Sequence, residues 1–232
     1  WGGWYWAMMA PIYLTMNQGK YKLLNKQGTD IAFDKPDAKM GDFLRFCKEM
    51  QKYAPASLAG SDSFFGRNIG MWLQFGYGWK NNFKNAAGSP MEIGKDVAVA
   101  PIPVVQAGDK SYSVLGGRAL MVFRSSPEKE RIVWDLVNLL MTDKELYIAA
   151  CQDLNMLPTV TGMEKDPYFQ RPDVKPFVDN LKSSLELDAY AVADPIQSDI
   201  SQIYTQVVLQ DKLSVEEGLS QLTTKAREEL KK

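Results

Sequence analysis

The chain has 232 residues, 45% hydrophobic and 24% charged, an ordinary globular composition that excludes disorder, collagen and coiled coil. Its formal net charge is −1 and it has no long basic run, so it offers no electrostatic footprint for nucleic acid or an anionic membrane. Histidine is absent, which removes the commonest general base, the usual serine triad and the commonest zinc ligand. We therefore expect no catalytic residue, no metal site and no cofactor.

The first predicted element is a helix over residues 4–16, which are rich in aromatic residues and methionine. The stretch is shorter than the ~20 residues of a membrane-spanning helix. It contains Pro11, and no basic residue precedes it as in a signal peptide. We interpret it as a buried helix followed by a turn at residues 17–20. We also expect the chain to be a fragment whose N-terminal part, with any targeting signal, is missing.

A short β-hairpin is predicted next, from residues 21–24 and 31–33 around a turn that ends at Gly28. Pro36 suits the first turn of a following helix. The apolar residues of that helix recur at spacings of three and four, as in an amphipathic helix. They are Met40, Phe43, Leu44, Cys47 and Met50.

Cys47 and Cys151 are the two cysteines, and they match no CxxC pattern. They are compatible with one disulfide or with two buried thiols. Because Cys47 falls on the apolar stripe, we interpret it as a small buried hydrophobic residue. The pairing stays open at this point.

The middle of the chain alternates aromatic residues with glycine. Residues 64–67 are interpreted as a helix end, residues 70–75 as a short strand and residues 76–79 as an exposed turn. Residues 97–100 predict a buried strand that stops at Pro101 and Pro103, because each proline removes a backbone donor.

The remaining elements are mostly helices. Residues 119–123 are strand-like, and Ser126 is the predicted cap of a helix with a core stripe at Val133, Leu136, Val137 and Leu140. Capping boxes are predicted at 142–145 and 214–217. Further helical stripes cover residues 174–181, 200–208 and 219–230, so the C-terminal third is expected to be wholly α-helical. The pattern as a whole predicts a mixed α and β protein.

The order of these features resembles the extracellular solute-binding proteins of ABC importers, in the sugar-binding family that includes maltose-binding protein. Each matching stretch is weak alone, and the ordered set is fairly specific. The stretches are Trp4-Tyr5-Trp6, residues 26–36, Phe65-Gly66-Arg67 with Gly70-Met71, residues 76–79, residues 97–103, Gly116-Gly117-Arg118 and residues 126–145.

The resemblance implies an α/β, two-lobed periplasmic-binding-protein-like fold, with the C-terminal lobe largely complete and the N-terminal lobe partial. Residues 1–98 would form the first part of the C-terminal lobe, residues 99–164 a return segment in the N-terminal lobe, and residues 165–232 the helical remainder of the C-terminal lobe. The chain would cross between lobes near residues 101–103 and 165–167. The resemblance also implies a monomer outside the cytoplasm, in the periplasm or lipid-anchored at the cell surface, that works with ABC permease subunits.

A sugar presents hydroxyls that need hydrogen-bond partners and an apolar face that packs on aromatic rings. Trp4, Tyr5 and Trp6 are candidates for that contact, although alternate residues of this stretch are expected to divide between core and cleft. Tyr77 and Trp79 stand in a glycine-spaced turn, which suits a surface loop. Core packing is the alternative for every one of these rings.

Gly116 and Gly117 permit close approach of their backbone N–H groups to a ligand, and Arg118 adds a planar set of donors. The alternative is a turn with a solvated arginine. Residues 194–198 contain no aromatic residue where relatives offer one, which argues against maltose itself. Tyr190 is a candidate replacement.

We therefore expect the substrate-binding component of an ABC importer for a sugar or oligosaccharide, and no enzyme. One alternative is a glycoside hydrolase, which needs two carboxylates rather than histidine. No pair among the 28 acidic residues stands out. A receptor for a non-sugar solute, such as glycerol phosphate or a small peptide, and a protein-interaction module that uses the aromatic opening are the others.

Overall fold

A computed structural model describes residues 4–54, 64–73, 90–117 and 119–232, with only the backbone of Trp4 and Tyr5. These residues form seven α-helices and one two-stranded sheet. In chain order the elements are α1 Trp4–Met16, α2 Met40–Gln51, β1 Ser113–Leu115, α3 Pro127–Thr142, α4 Lys144–Leu154, α5 Lys175–Asn180, β2 Ser184–Glu186, α6 Ala193–Tyr204 and α7 Val215–Glu229. A π-helical turn, Thr205–Leu209, extends α6.

The chain divides into two compact units. The first comprises Trp1–Gly60, Pro101–Leu115 and Ser183–Lys232, and the second comprises Ser61–Ala100 and Gly116–Lys182. These bounds differ from those of the predicted lobe segments 1–98, 99–164 and 165–232. The predicted segments refer to the two lobes of a longer protein, and that division stays a prediction.

The core of the first unit is formed by α1, α2, α6 and α7. The predicted helices at 4–16 and 40–50 are confirmed. Four residues of the α2 stripe are buried, whereas Met50, in the last turn, is 41% exposed. The buried stripe faces apolar residues of the other helices of this core, including Tyr13, Ile196, Ile200, Ile203 and Leu222.

The sheet of the first unit joins two segments that lie far apart in sequence. Strand β1 runs parallel to β2, with Ser113 opposite Ser184, and the two serine hydroxyls are 2.6 Å apart. The expectation of a wholly α-helical C-terminal third is therefore wrong at β2. A three-residue strand is too short for its own periodicity to show, and its partner is 71 residues away.

The predicted hairpin is confirmed only as a single antiparallel bridge between Leu24 and Ile31. The Asp188 carboxylate explains why pairing stops there, because it accepts the N–H groups of Leu23 at 2.9 Å and of Leu24 at 3.4 Å. Burial raises the pKa of Asp188, although these two N–H bonds act in the opposite direction. The Asp188 side chain thus accepts backbone N–H groups that a paired strand would otherwise bind.

The second unit has a small core between α4 and the segment that leads into α5. Its buried residues include Tyr147, Cys151, Phe169 and Val174. Both cysteines of the chain are free thiols and buried. This confirms the interpretation of Cys47, and burial raises the pKa of its thiol to about 12.

Helix α3 begins as predicted, because the Ser126 hydroxyl accepts the N–H of Lys129. The prediction that its apolar stripe is buried is wrong: no residue of α3 is buried, and Trp134 is 58% exposed. Amphipathic spacing indicates which face needs a cover but does not supply one. Among the described residues, α4 contacts α3 and leaves Val137 and Leu140 half-buried, but it buries no residue of the stripe.

Two predicted strands do not form. Residues 97–100 make one bridge, from Val97 to Ile93, and residues 119–123 adopt no regular structure, with Phe123 81% exposed. A strand needs a neighbour that pairs its backbone amides along its length. In the described part of the chain, the first segment has such a partner only at Val97, and residues 119–123 form no bridge. Residues 70–73 are also not a strand, and residues 74 and 75 lie outside the described residues.

The predicted capping box at 142–145 is wrong by one residue. Asp143 is the N-cap of α4 and accepts the N–H of Leu146, while the Thr142 hydroxyl donates to the carbonyl of Asn138 in α3. The box at 214–217 is confirmed in both directions: Ser214 Oγ accepts from Glu217 N at 3.1 Å, and Glu217 Oε2 accepts from Ser214 N at 2.8 Å.

We expect Ser214→Ala to lower the free energy of unfolding by about 1 kcal/mol, because the first turn of α7 loses its side-chain acceptor. Urea denaturation measures the change. Ser220→Ala, on the exposed face of the same helix, is the control and should cost nothing, since alanine is the better helix former. Equal losses for the two variants would contradict the role of the cap.

Candidate functional site

The aromatic opening of the chain lies at the N-terminal end of α1. Of its three candidates, the structure describes the side chain of Trp6 alone. Trp6 is 2% exposed, and its ring centroid is 5.4 Å from that of Tyr13 and 6.1 Å from that of Phe43. The structure therefore places Trp6 in the core of the first unit, where its ring supports α1 rather than facing solvent.

The Trp6 indole N–H is buried, and none of the described residues accepts a hydrogen bond from it. Buried polar groups usually find a partner. Trp4 and Tyr5 precede it in the same helical turn, but the positions of their side chains lie outside the described structure.

Tyr77, Trp79 and Arg118 also lie outside the described residues, so the structure does not bring the full candidate set together. The chain that precedes this turn contributes an aromatic cluster that the sequence analysis did not single out. The Trp72 ring centroid lies 5.4 Å from that of Phe64 and 5.6 Å from that of Phe65. Phenylalanine spaced seven or eight residues from tryptophan is a weak signal, because any folded core offers such pairs.

Gly116 and Gly117 follow directly after β1 and are both exposed. Neither has a positive φ, and among the described residues no atom lies within 4 Å of a Cβ built on either glycine. Glycine is usually required where the backbone turns sharply or another group approaches closely. Neither reason comes from the described part of this chain, so its own packing does not explain the glycine pair.

Tyr190, the candidate replacement for the missing aromatic residue, is 39% exposed. Its hydroxyl donates a hydrogen bond to the carbonyl of Lys26. This bond attaches Tyr190 to the turn between the two predicted hairpin segments, and part of its ring faces solvent. Residues 194–198, which lack an aromatic residue, lie within the first turns of α6.

The described residues contain no group of three or more cysteine, aspartate or glutamate side chains close enough together to hold a metal ion. The most buried carboxylate with a raised pKa, Asp188, is already engaged by two backbone N–H groups. Asp188 therefore holds the backbone at Leu23 and Leu24 in place, which is a structural role.

The comparison with protein families matches residues 1–176 to the bacterial extracellular solute-binding proteins. The chain belongs to this family. Membership implies an extracytoplasmic location. None of the described helices has both the length and the apolar character needed to cross a membrane. The comparison with curated proteins gave no match.

Two solved structures are similar to the chain. One is a cyclic alpha-maltosyl-1,6-maltose binding protein from Arthrobacter globiformis, with a TM-score of 0.71 and 16% identity over 95% of this chain and 55% of that protein. The other is maltose-bound MalE3 of T. maritima, with a TM-score of 0.67 and 20% identity over 94% of this chain and 56% of that protein.

The likeness confirms the predicted fold class, the α/β fold of two-lobed solute-binding proteins with one lobe partial. The chain spans just over half the length of each of these structures.

We expect Trp6→Ala to lower the free energy of unfolding by about 3–5 kcal/mol, because it removes a large ring from a packed core. Chemical denaturation measures this loss. Tyr53→Ala is the matched control, since Tyr53 is 82% exposed and its removal should change stability by less than about 0.5 kcal/mol. A Trp6 variant as stable as the Tyr53 variant would contradict the core position of Trp6.

Proposed function

We propose that the chain is part of the substrate-binding component of an ABC importer, which captures a sugar or oligosaccharide between two lobes and delivers it to the membrane permease. The family match over residues 1–176 carries the proposal. The two similar structures, one of a cyclic maltosyl-maltose binding protein and one with maltose bound, support a sugar as the class of ligand.

The proposed contacts combine stacking with hydrogen bonds. Trp4, Tyr5, Tyr77 and Trp79 are the rings proposed to pack on the sugar face. Trp6 is buried in the core of the first unit, where it holds the N-terminal end of α1. Gly116, Gly117 and Arg118 are proposed to supply backbone and guanidinium donors. The exposed glycine pair supports this assignment, because glycine there has no use in the packing of the described chain.

The apolar surface of residues 120–142 supports the proposed division into lobes. Helix α3 buries none of its residues, and Leu120, Met121 and Phe123 before it are all exposed. An apolar surface of this kind marks an interface. Of the predicted return segment 99–164, residues 101–115 belong to the first unit with α1 and β2. We therefore assign residues 116–164 to the partial N-terminal lobe, whose remaining chain would cover α3, and the rest of the chain to the C-terminal lobe.

Binding would act through closure of the lobes. A ligand that touches the aromatic rings on one lobe and the glycine pair on the other favours the closed state, because only that state offers both sets of contacts. Chain segments that cross between lobes after Leu115, rather than at residues 101–103, and near Pro167 would absorb the rotation while each lobe stays rigid. The closed monomer would be the form that the permease recognises.

We expect Trp79→Ala to weaken sugar binding by about 1–3 kcal/mol, roughly tenfold to a hundredfold and more in Kd, because the sugar loses a stacking surface. Isothermal titration with maltose and cyclic alpha-maltosyl-1,6-maltose measures Kd on the full-length protein. A thermal melt should show little change. Tyr53→Ala removes an exposed ring elsewhere and should leave Kd unchanged.

A large loss of stability with unchanged Kd would instead place Trp79 in the core. If neither sugar binds the unaltered protein, titration with glycerol phosphate and a short peptide tests the non-sugar alternative. Analysis of the oligosaccharides after titration tests the glycosidase alternative, since cleavage products would overturn binding without chemistry.

We expect the isolated 232-residue chain to bind the same sugar at least tenfold more weakly than the full-length protein, because one of the two lobes that would enclose the ligand is partial. Titration of both proteins under identical conditions gives the ratio of the two Kd values. Circular dichroism of the isolated chain verifies that it is folded. Equal affinities would mean that the site lies within the residues of this chain, and the proposal that two lobes enclose the ligand would be wrong.

A further inference from the structure

Two polar side chains at the C-terminal end of α1 each bind one residue of the segment before β1 through both of its backbone groups. Thr15 Oγ1 accepts the N–H of Tyr112 at 2.9 Å and donates to its carbonyl at 3.3 Å. Gln18 Oε1 accepts the N–H of Lys110 at 3.1 Å, and Gln18 Nε2 donates to its carbonyl at 3.3 Å. We call these four hydrogen bonds the α1 clamp.

The four hydrogen bonds of the α1 clamp replace those that a neighbouring strand would form with Lys110 and Tyr112. Alternate residues of an extended chain direct their backbone groups to the same edge, and Lys110 and Tyr112 are two residues apart. The end of α1 therefore occupies the place where a neighbouring strand would pair. The clamped segment continues without a break into β1 and, after Leu115, into Gly116 and Gly117.

The backbone of Gln18 supports a role for its side chain. Gln18 has φ 56°, in the left-handed region that favours glycine over other residues. The helix end therefore retains a glutamine at a position where glycine would be less strained. Gln18 Nε2 also donates to the carbonyl of Thr15 at 2.8 Å, which orients the amide toward Lys110.

We propose that Thr15 and Gln18 are positioning residues that order residues 110–115, the segment of the first unit from which the chain continues into Gly116 and Gly117. The same helix carries the aromatic opening at its other end. The clamp thereby fixes the end of the segment from which the glycine pair continues, and the ligand consequence of the clamp rests on the proposed function.

Amide hydrogen exchange, followed by NMR on the full-length protein without ligand, tests the ordering directly. Thr15→Val keeps the shape of the buried side chain and removes the hydroxyl. We expect exchange at Tyr112 to become about fivefold faster or more, the equivalent of one lost hydrogen bond, with a smaller increase along β1. Thr15→Ser retains the hydroxyl and should restore slow exchange. Unchanged exchange in the valine variant would overturn the clamp.

A pair of Gln18 variants separates the side chain from the backbone. Gln18→Ala and Gln18→Gly both remove the amide and should accelerate exchange at Lys110 equally. The glycine variant should melt at a higher temperature than the alanine variant, because only glycine relieves the left-handed conformation. Asn155→Gly is the control: Asn155 has φ 52° at the end of α4, and its change should leave Lys110 unaffected. Normal exchange in both Gln18 variants would contradict the proposal.

The ligand arm uses the sugar that binds the unaltered protein, maltose or cyclic alpha-maltosyl-1,6-maltose. Thr15→Val and Gln18→Gly should each raise Kd about fivefold or more, and Thr15→Ser should restore it. Faster exchange with an unchanged Kd would overturn the link to the site. If neither sugar binds the unaltered protein, a ligand of the maltose type is wrong, and the exchange data still decide whether the clamp orders residues 110–115.

Discussion

The C-terminal end of α1 is the constraint on which the first unit depends. Thr15 and Gln18 hold residues 110–112, and Asn17 does the same for Tyr21: its side chain accepts the Tyr21 N–H at 3.3 Å and donates to the Tyr21 carbonyl at 3.0 Å. Three neighbouring side chains thus supply backbone partners that a sheet would otherwise provide. Since each net hydrogen bond contributes only about 1 kcal/mol, their main effect is to fix the path of the chain.

This arrangement explains how such a short sheet persists. Strands β1 and β2 have three residues each, at the lower end of the usual range of strand length. The segment before β1 is already held against α1, so the sheet does not have to order it alone. Two residues after β2, Asp188 holds Leu23 and Leu24. Polar side chains therefore fix the chain before β1 and after β2.

The two kinds of apolar surface in the chain have different causes. The first unit closes its core around Trp6, Tyr13 and Phe43, three aromatic rings in mutual edge or tilted contact. Helix α3 has the same amphipathic spacing but no buried residue. Its apolar face fits a lobe of which the chain holds only part, and this agrees with a length of just over half that of the similar structures.

Local signals determined the features that depend on neighbours in sequence. The helix at 40–51 follows from periodicity, and the helix at 4–16 follows from a stretch rich in aromatic residues and methionine. The Ser214–Glu217 box follows from a spacing of three residues, because the interacting groups share one turn of helix. The ordered set of weak motifs also indicates the family from the sequence alone. The candidate site was less accessible, since an aromatic residue in a sequence does not show which way its ring faces.

Tertiary structure alone decided the features that depend on distant partners. It placed Trp6 in the core, paired β1 with β2, and engaged Thr15 and Gln18 with residues almost a hundred positions later in the chain. It also left α3 exposed and residues 119–123 unpaired, although their patterns predict burial. The physical reason is the same in every case: burial and backbone pairing are properties of two surfaces in contact, and a sequence pattern describes only one of them.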